Sequence, residues 1–218
     1  AETERKAVRT LAGQLALAEQ YPGYRFLHSQ PHLFWMIKNR YPAFYERVRR
    51  AVADGHIIAE GGMWVEADTN ISGGEALIRQ FLAGKRFFAD EFGVDSEMLW
   101  LPDVFGYSAA LPQIMAGCGI KYFSTQKIFW NYHGGDTFPY HNFLWEGIDG
   151  STVITHLHND YNAPADPGAV IKRWTQRVQK DGMSTRMYPF GWGDGGGGPT
   201  REHLEYIARL GDCEGVPK

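Results

Sequence analysis

The sequence has few cysteines, no long apolar run and no excess of positive charge. Its two cysteines, Cys118 and Cys213, lie far apart and neither stands in a CxxC pair, which excludes a disulfide framework and a thiolate metal site. It contains no stretch of 18 apolar residues, so it predicts no membrane-spanning helix. The formal net charge of -3 offers no basic surface to attract nucleic acid.

Two common functional motifs are also missing. No HExxH motif supports a histidine pair for a metal. The loop GWGDGGGGPT (191 to 200) satisfies GxGxxG literally, but Asp194 would bring a negative charge to a pyrophosphate, and Pro199 and Thr200 stand where a P-loop needs GK[ST]. A glycine-rich loop around one Asp better fits a carboxylate held close to a bulky ligand.

The composition is that of a soluble globular protein. The chain has 218 residues, of which 44% are hydrophobic and 22% charged, so it is long enough to bury a sizeable core. Because it shows neither an internal repeat nor a linker-like stretch, we predict one domain over residues 1–218. The free cysteines suit a reducing compartment, and the first 20 residues are charged and helical rather than signal-like, which predicts a cytoplasmic protein. The chain starts without Met, and we expect it to be part of a longer one.

Strand-like and helix-like segments alternate along the chain, which is typical of a parallel α/β sheet, open or closed. The turn Asp149-Gly150 favours a hairpin between two of the strands. The predicted strands are Tyr24–Leu27, His56–Ala59, Met98–Leu101, Tyr122–Thr125, Asn142–Glu146, Ser151–Leu157 and Arg186–Phe190. The predicted helices cover residues 1–20, Pro42–Asp54, a segment opened by a Ser72/Glu75 capping box, a segment around Leu111–Met115, Pro167–Gly182 and a segment through Leu204 and Leu210.

Polar residues follow several of these strands, at the edge where α/β proteins bind ligands. These residues are Glu66, Asp68, Asp103, Lys127, His156, His158, Asp160 and Asp194. Each has an ordinary alternative role. An Asp after Pro102 is common turn chemistry, Asp68 is placed to order the Thr69-Asn70 turn, and either histidine suits a hydrogen-bonded buried imidazole. Several tryptophans are core residues by default, although aromatic rings at such an edge also bind the apolar faces of sugars.

Five stretches, in order and over nearly the whole chain, give a more specific indication. They are GGMWVEADTN (61 to 70), GEALIRQFLAGKRFF (74 to 88), WLPDVFGYSAALPQI (100 to 114), YFSTQK (122 to 127) and GWGDGGGGPT (191 to 200). Together they resemble the catalytic domain of the α-mannosidases of glycoside hydrolase family 38, in its bacterial and cytosolic branch. The resemblance implies an α/β fold, an irregular seven-stranded (β/α) barrel, which we expect to be incomplete in this chain.

The resemblance also implies a mechanism and a set of site residues. The family consists of retaining, zinc-dependent enzymes that pass through a covalent mannosyl-aspartate. Asp103 matches the nucleophile, which also binds zinc, and Asp194 is the best positional match to the acid/base. The candidate substrate-binding residues are Asp68, Phe105, Lys127 and Tyr161. The other zinc ligands of the family, a His-x-Asp motif upstream and a histidine downstream, are expected outside this chain.

Two alternatives stay open beside the mannosidase. One is another metal-dependent carbohydrate enzyme, such as a deacetylase on a related barrel, and the other is an inactive sugar-binding fragment. The expected partner is a mannose-containing oligosaccharide or glycoside, rather than nucleic acid or a membrane, and a homo-oligomer of the full-length protein is left open. With only one matched zinc ligand, this segment alone is expected to be inactive.

Overall fold

A computed structural model describes residues 2–130, 136–158 and 160–217. It divides the chain into two compact units, of which unit 1 comprises Ala1–Arg25 with His158–Lys218, and unit 2 comprises Phe26–Leu157. The prediction of a single domain stays a prediction. Among the described residues, no helix is both long enough and apolar enough to span a bilayer.

Seven α-helices and six strands are present in the described ranges. The helices are α1 (Glu2–Gln20), α2 (Pro31–Arg40), α3 (Pro42–Ala53), α4 (Gly74–Phe92), α5 (Leu111–Gly117), α6 (Pro167–Thr175) and α7 (Arg201–Leu210), with a 3₁₀-helix at Lys127–Trp130. The strands are β1 (Phe26–His28), β2 (Ile57–Ala59), β3 (Met98–Trp100), β4 (Tyr122–Thr125), β5 (Asn142–Glu146) and β6 (Thr152–Leu157).

All six strands lie in unit 2, in two sheets. Strands β1 and β2 pair in parallel, with Phe26 opposite Ile57. The second sheet has the order β3-β4-β6-β5, in which β3, β4 and β6 are parallel and β5 is an antiparallel edge strand. The predicted α/β class and the hairpin through Asp149-Gly150 are therefore confirmed, whereas a closed seven-stranded barrel is not seen in the part of the chain described here.

The core of unit 2 lies where α4 and α5 pack on the second sheet. Leu99 on β3 and Phe123 on β4 are buried against Phe81 of α4 and Leu111 of α5. Helix α4 approaches the segment after β2 closely, because a Cβ atom on Gly84 would lie 2.4 Å from the carbonyl oxygen of Gly62. This packing fixes the end of β3, the strand that leads to Asp103.

Unit 1 is built around α1. Leu11, Leu15 and Ala18 form a buried stripe, as their helical spacing predicts. On the same helix the buried Gln14 donates its side-chain amide to the carbonyl oxygens of Gly197 at 2.6 Å and Pro199 at 3.1 Å. Helix α1 therefore anchors the glycine-rich loop.

Several element predictions are wrong. The segment Arg186–Phe190 is not a strand, and only an isolated bridge joins Phe190 to Ala163, because Pro189 lacks the N–H group that a strand ladder uses. Helix α4 begins after Gly73, without a side-chain cap from the predicted capping box. The sequence analysis overlooks α2, which a single residue separates from α3.

Helix α6 is also shorter than predicted, since it ends at Thr175 rather than near Gly182. The Thr175 hydroxyl lies 3.0 Å from the carbonyl oxygens of both Ile171 and Lys172, and donates to this last turn. Threonine side chains that bond to nearby carbonyl groups compete with helix continuation.

Candidate active site

The structure brings Asp103 and Lys127 together. Pro102 ends the segment after β3, and Asp103 follows it directly, while Lys127 begins the 3₁₀-helix just after β4. Because β3 and β4 are parallel neighbours, both residues lie at the same edge of the sheet. The ammonium group of Lys127 contacts Oδ1 of Asp103 at 2.7 Å. The lysine side chain is 3% exposed and the aspartate side chain 44%, so the carboxylate faces solvent with a buried cation behind it.

Two half-exposed aromatic rings frame this ion pair. The Lys127 ammonium lies 4.6 Å from the ring centroid of Phe105 and 3.1 Å from that of Trp130. The rings themselves meet edge to face at 6.4 Å. Phe105 is 60% exposed and Trp130 50%, which is unusual for rings of this size that pack on a buried charge. A carboxylate beside exposed rings is suited to bind a ligand with both polar and apolar surfaces.

Buried hydrogen bonds hold the loop after β3 in place. Thr125 on β4 donates its hydroxyl to the Leu101 carbonyl at 2.7 Å, and the Tyr107 hydroxyl donates to the Val104 carbonyl at 2.9 Å. The hydroxyl of Thr69 donates to the Gly106 carbonyl at 2.9 Å, which joins this loop to the loop after β2. The backbone on either side of Asp103 is therefore fixed before any ligand binds.

Asp68 lies in the neighbouring loop, where its carboxylate orders a turn. Oδ1 accepts hydrogen bonds from the backbone N–H groups of Asn70 at 2.8 Å and Ile71 at 2.9 Å. This is the turn that the sequence analysis gives as its alternative role. Its predicted part in substrate binding stays a prediction.

Glu66 is a carboxyl group near Asp103 that the sequence analysis places at the ligand-binding edge without assigning it a role. The Ser29 hydroxyl donates to Oε1 of Glu66 at 2.9 Å. The pKa of Glu66 is raised to about 7, chiefly by burial and to a smaller extent by the negative charge of Asp103, while the Ser29 hydrogen bond acts in the opposite direction. Glu66 is thus the nearby carboxyl group whose protonation state changes near neutral pH. The sequence offers only its position after β2 as an indication.

The glycine-rich loop of unit 1 carries Asp194 in an uncommon conformation. Asp194 has φ of 52°, and it is the only non-glycine residue with positive φ in the described chain. Trp192 and Gly198 pair across the loop, and the Asp194 side chain is exposed. The left-handed backbone and the exposed carboxylate are consistent with a group that meets a ligand.

Tyr161 lies beside this loop in unit 1. A Cβ atom on Gly193 would lie 3.4 Å from Cε2 of Tyr161, so the glycine-rich loop passes within van der Waals distance of the ring. Asp160, the residue before it, forms an ion pair with Arg173 and accepts a hydrogen bond from the Tyr161 N–H at 2.9 Å. Asp160 is therefore engaged in structural contacts. Tyr161 instead lies next to Gly193, the residue before Asp194 in the glycine-rich loop.

The described residues do not form a complete zinc site. No group of three or more His, Cys, Asp or Glu side chains with metal-binding geometry occurs among them. His156 is not part of such a group. Its Nδ1 lies 2.7 Å from Oδ1 of Asn142. His158 is fully buried, as the sequence analysis expects of an ordinary imidazole. Asp103 is the only zinc ligand that the sequence analysis assigns to this chain, and one of its carboxylate oxygens contacts the Lys127 ammonium.

Comparison with known proteins identifies the family of this chain. The profile of the glycosyl hydrolases family 38 N-terminal domain matches residues 1–218. The chain belongs to glycosyl hydrolase family 38. It is 43% identical over 219 residues to α-mannosidase 2C1 of Homo sapiens and 41% identical over 213 residues to an α-mannosidase of Saccharomyces cerevisiae. These alignments cover 100% and 96% of this chain, but only 21% and 20% of the relatives. The predicted family resemblance is confirmed.

Solved structures support the fold of this family 38 chain. An α-mannosidase from Enterococcus faecalis V583 superposes with a TM-score of 0.66 at 21% identity, over 80% of this chain and 20% of that one. A 4-alpha-glucanotransferase from Thermococcus litoralis superposes with a TM-score of 0.69 at 14% identity, over 98% of this chain and 36% of that one. At such identities the likeness shows the fold alone.

Proposed function

We propose that the protein containing this chain is a retaining α-mannosidase that hydrolyses terminal α-mannosides of glycans. The observation that carries the proposal is the exposed Asp103 carboxylate, held on the buried Lys127 ammonium between two aromatic rings. Family membership and the named mannosidases that align over nearly the whole chain support it. Since the chain spans about a fifth of those relatives, the activity belongs to the longer protein.

In the proposed reaction Asp103 is the nucleophile and Asp194 the acid/base. One Asp103 oxygen forms a bond to the anomeric carbon while the glycosidic bond breaks, and Asp194 gives its proton to the leaving oxygen. Asp194 then takes a proton from water, whose oxygen attacks the same carbon and releases Asp103. Two displacements leave the configuration of the sugar unchanged.

Lys127 is proposed to act electrostatically on the Asp103 carboxylate. Its ammonium contacts one carboxylate oxygen of Asp103 and leaves the other to attack. The ion pair also fixes the carboxylate in one orientation, which lowers the entropic cost of reaching the reactive geometry. Phe105 adds an apolar surface beside it, and Tyr161 is a further proposed substrate-binding residue.

Zinc, the closed barrel and the cellular location are further parts of the proposal. Among the described residues, no group of three His, Cys, Asp or Glu side chains could form a zinc site. Each step above uses only Asp103, Asp194 and water. In the longer protein Asp103 would supply one ligand, with the others from segments outside this chain. We also propose that the complete domain is the seven-stranded barrel implied by the family and that the enzyme is cytoplasmic.

The test uses the full-length protein with Asp103→Asn and the wild type side by side. We expect the wild type to release α-mannose first, seen by NMR before mutarotation, and the variant to lose at least about a thousandfold in activity. Trapping with a fluorinated mannosyl donor should label Asp103. Release of β-mannose, or near-normal turnover by Asp103→Asn, contradicts the proposal, and release of acetate from an acetylated sugar points to the deacetylase alternative.

A further inference from the structure

We infer that Trp130 contacts the sugar bound at Asp103, and that Gln126 positions it for that contact. This inference rests on the proposed function and extends it to two residues to which the family resemblance assigns no role. It concerns a binding role at one wall of the site, and the ligand class is a pyranose with an apolar face of C–H groups.

The first step is distance. The Lys127 ammonium lies 2.7 Å from Oδ1 of Asp103 and 3.1 Å from the Trp130 ring centroid. Both distances start from the same ammonium nitrogen, so the centre of the indole ring lies within about 6 Å of Oδ1 of Asp103. Attack requires the anomeric carbon to be about 3 Å from a carboxylate oxygen. A pyranose bound in that position is large enough to reach an indole at that distance from the carboxylate.

The second step is exposure. Trp130 is 50% exposed although its ring packs on a charge that is itself almost fully buried. The ammonium covers part of the indole, and the remaining surface, beside the 60% exposed Phe105, faces solvent. Two large rings exposed side by side form an apolar patch next to a carboxylate. Sugar rings, which have polar edges and C–H faces, match such a surface.

The third step is the brace that holds the indole. Nε1 of Trp130 donates to Oε1 of Gln126 at 2.8 Å, and Nε2 of Gln126 donates to the Pro102 carbonyl at 3.2 Å. Gln126 is 1% exposed, so both bonds lie in a buried environment. Pro102 directly precedes Asp103. One amide side chain therefore fixes the position of the indole relative to the nucleophile.

The experiment measures binding separately from turnover, in the full-length protein. D-mannose is titrated into the wild type, Trp130→Ala, Trp130→Phe and Gln126→Met, and the dissociation constant is read by NMR. Trp35→Ala is the matched control, because Trp35 is 47% exposed on α2, outside the site. All variants are checked for an unchanged unfolding temperature.

We expect Trp130→Ala to weaken mannose binding about 3- to 10-fold, the range for a lost aromatic contact, and Trp130→Phe to weaken it less. Gln126→Met keeps the side-chain volume but removes both bonds, so it should raise KM with a smaller effect on kcat. Normal mannoside turnover with no change of binding beyond that of Trp35→Ala overturns the inference and leaves the proposed function standing. Mannose binding that depends on Trp130 without any mannoside turnover supports the inference and rejects the proposed function.

Discussion

Ser29 donates its hydroxyl to the Glu66 carboxyl group at 2.9 Å, and the residue before Ser29, His28, is half-buried at the end of β1. These neighbours have pKa values shifted in opposite directions. Burial raises the pKa of Glu66 to about 7 and lowers that of His28 to about 4. In the folded protein both groups are therefore neutral over much of the weakly acidic range.

Glu66→Gln should change how stability depends on pH. The pKa of Glu66 is higher in the folded state than its ordinary value of 4.5, so the folded state holds the proton more tightly. Its contribution is complete below pH 4.5 and is lost as the pH rises through 7, which costs up to about 3 kcal/mol. Glutamine keeps the acceptor for Ser29 and does not titrate. Urea unfolding with a chelator present should show that the free energy of unfolding of the variant rises relative to that of the wild type from pH 5 to 8. Parallel plots of the two free energies against pH would refute this.

His28→Leu should have the opposite effect. The pKa of His28 is lower when folded, so its stabilising contribution is present above pH 6.5 and is lost as the pH falls toward 4. Nε2 of His28 has no hydrogen-bond partner in the structure, so leucine sacrifices no bond at that atom. The variant should lose less stability than the wild type between pH 6.5 and 4. Because the two groups oppose each other from about pH 4.5 to 6.5, the wild type should be nearly flat there, and each single variant should reveal one slope.

Asp194→Asn is the substitution that separates chemistry from backbone strain. Asp194 has φ of 52°, a conformation that asparagine adopts readily and alanine does not. In the full-length protein, Asp194→Asn should leave the unfolding temperature unchanged. It should slow the hydrolysis of natural glycans far more than that of aryl mannosides with good leaving groups, because only the glycans need a proton on the leaving oxygen. Asp194→Ala should add a stability loss of about 1 kcal/mol. Equal slowing of both substrates by Asp194→Asn would assign the acid to another residue.

Gly84→Ala and Gly13→Ala should shift stability in opposite directions. Both glycines are in helices, where alanine is favoured by about 1 kcal/mol. A Cβ atom on Gly84 would lie 2.4 Å from the Gly62 carbonyl oxygen, whereas one on Gly13 would have no neighbour within 4 Å. We expect Gly84→Ala to lower the free energy of unfolding by about 1 to 3 kcal/mol and Gly13→Ala to raise it by up to about 1 kcal/mol. Denaturant midpoints measure both, and stabilisation by Gly84→Ala would contradict the close packing.

The 218-residue chain alone should not retain zinc. A stable site generally needs three protein ligands, and the described residues contain no group of three. After zinc loading and dialysis, atomic absorption should find well under one zinc per chain, and mannoside hydrolysis should be absent. The full-length protein, treated in parallel, is the positive control. One retained zinc per isolated chain would mean that residues not yet assigned complete the site.

How much of the site the sequence predicts depends on where each residue lies. Asp103 and Lys127 follow strands that are recognisable from their apolar runs, so their meeting at one sheet edge follows from the parallel pairing of β3 and β4. Trp130 lies on a short 3₁₀-helix that no periodicity marks, and Gln126 is the residue just before that helix. Their roles depend on exposure and hydrogen bonds, which appear only in three dimensions.

Glu66 shows the same limit for electrostatics. Its place after β2 is visible in the sequence, but its raised pKa depends on burial and on the charge of Asp103, a residue distant in the chain. The segment Arg186–Phe190 illustrates the converse, because an apolar pattern predicts a strand and one proline prevents the ladder. The alternation of elements in unit 2 is predicted well, whereas the loops that decide the chemistry are not.

The edge position of β5 has a consequence for the order in which the sheet assembles. Strand β5 pairs only with β6 in the described sheet, across the tight turn between Glu146 and Thr152. This hairpin closes a loop of a few residues, whereas the β4–β6 pairing must bring together segments about thirty residues apart. Local closure is fast and long closure is slow. The hairpin is therefore expected to form early and then to add to β4 as a unit.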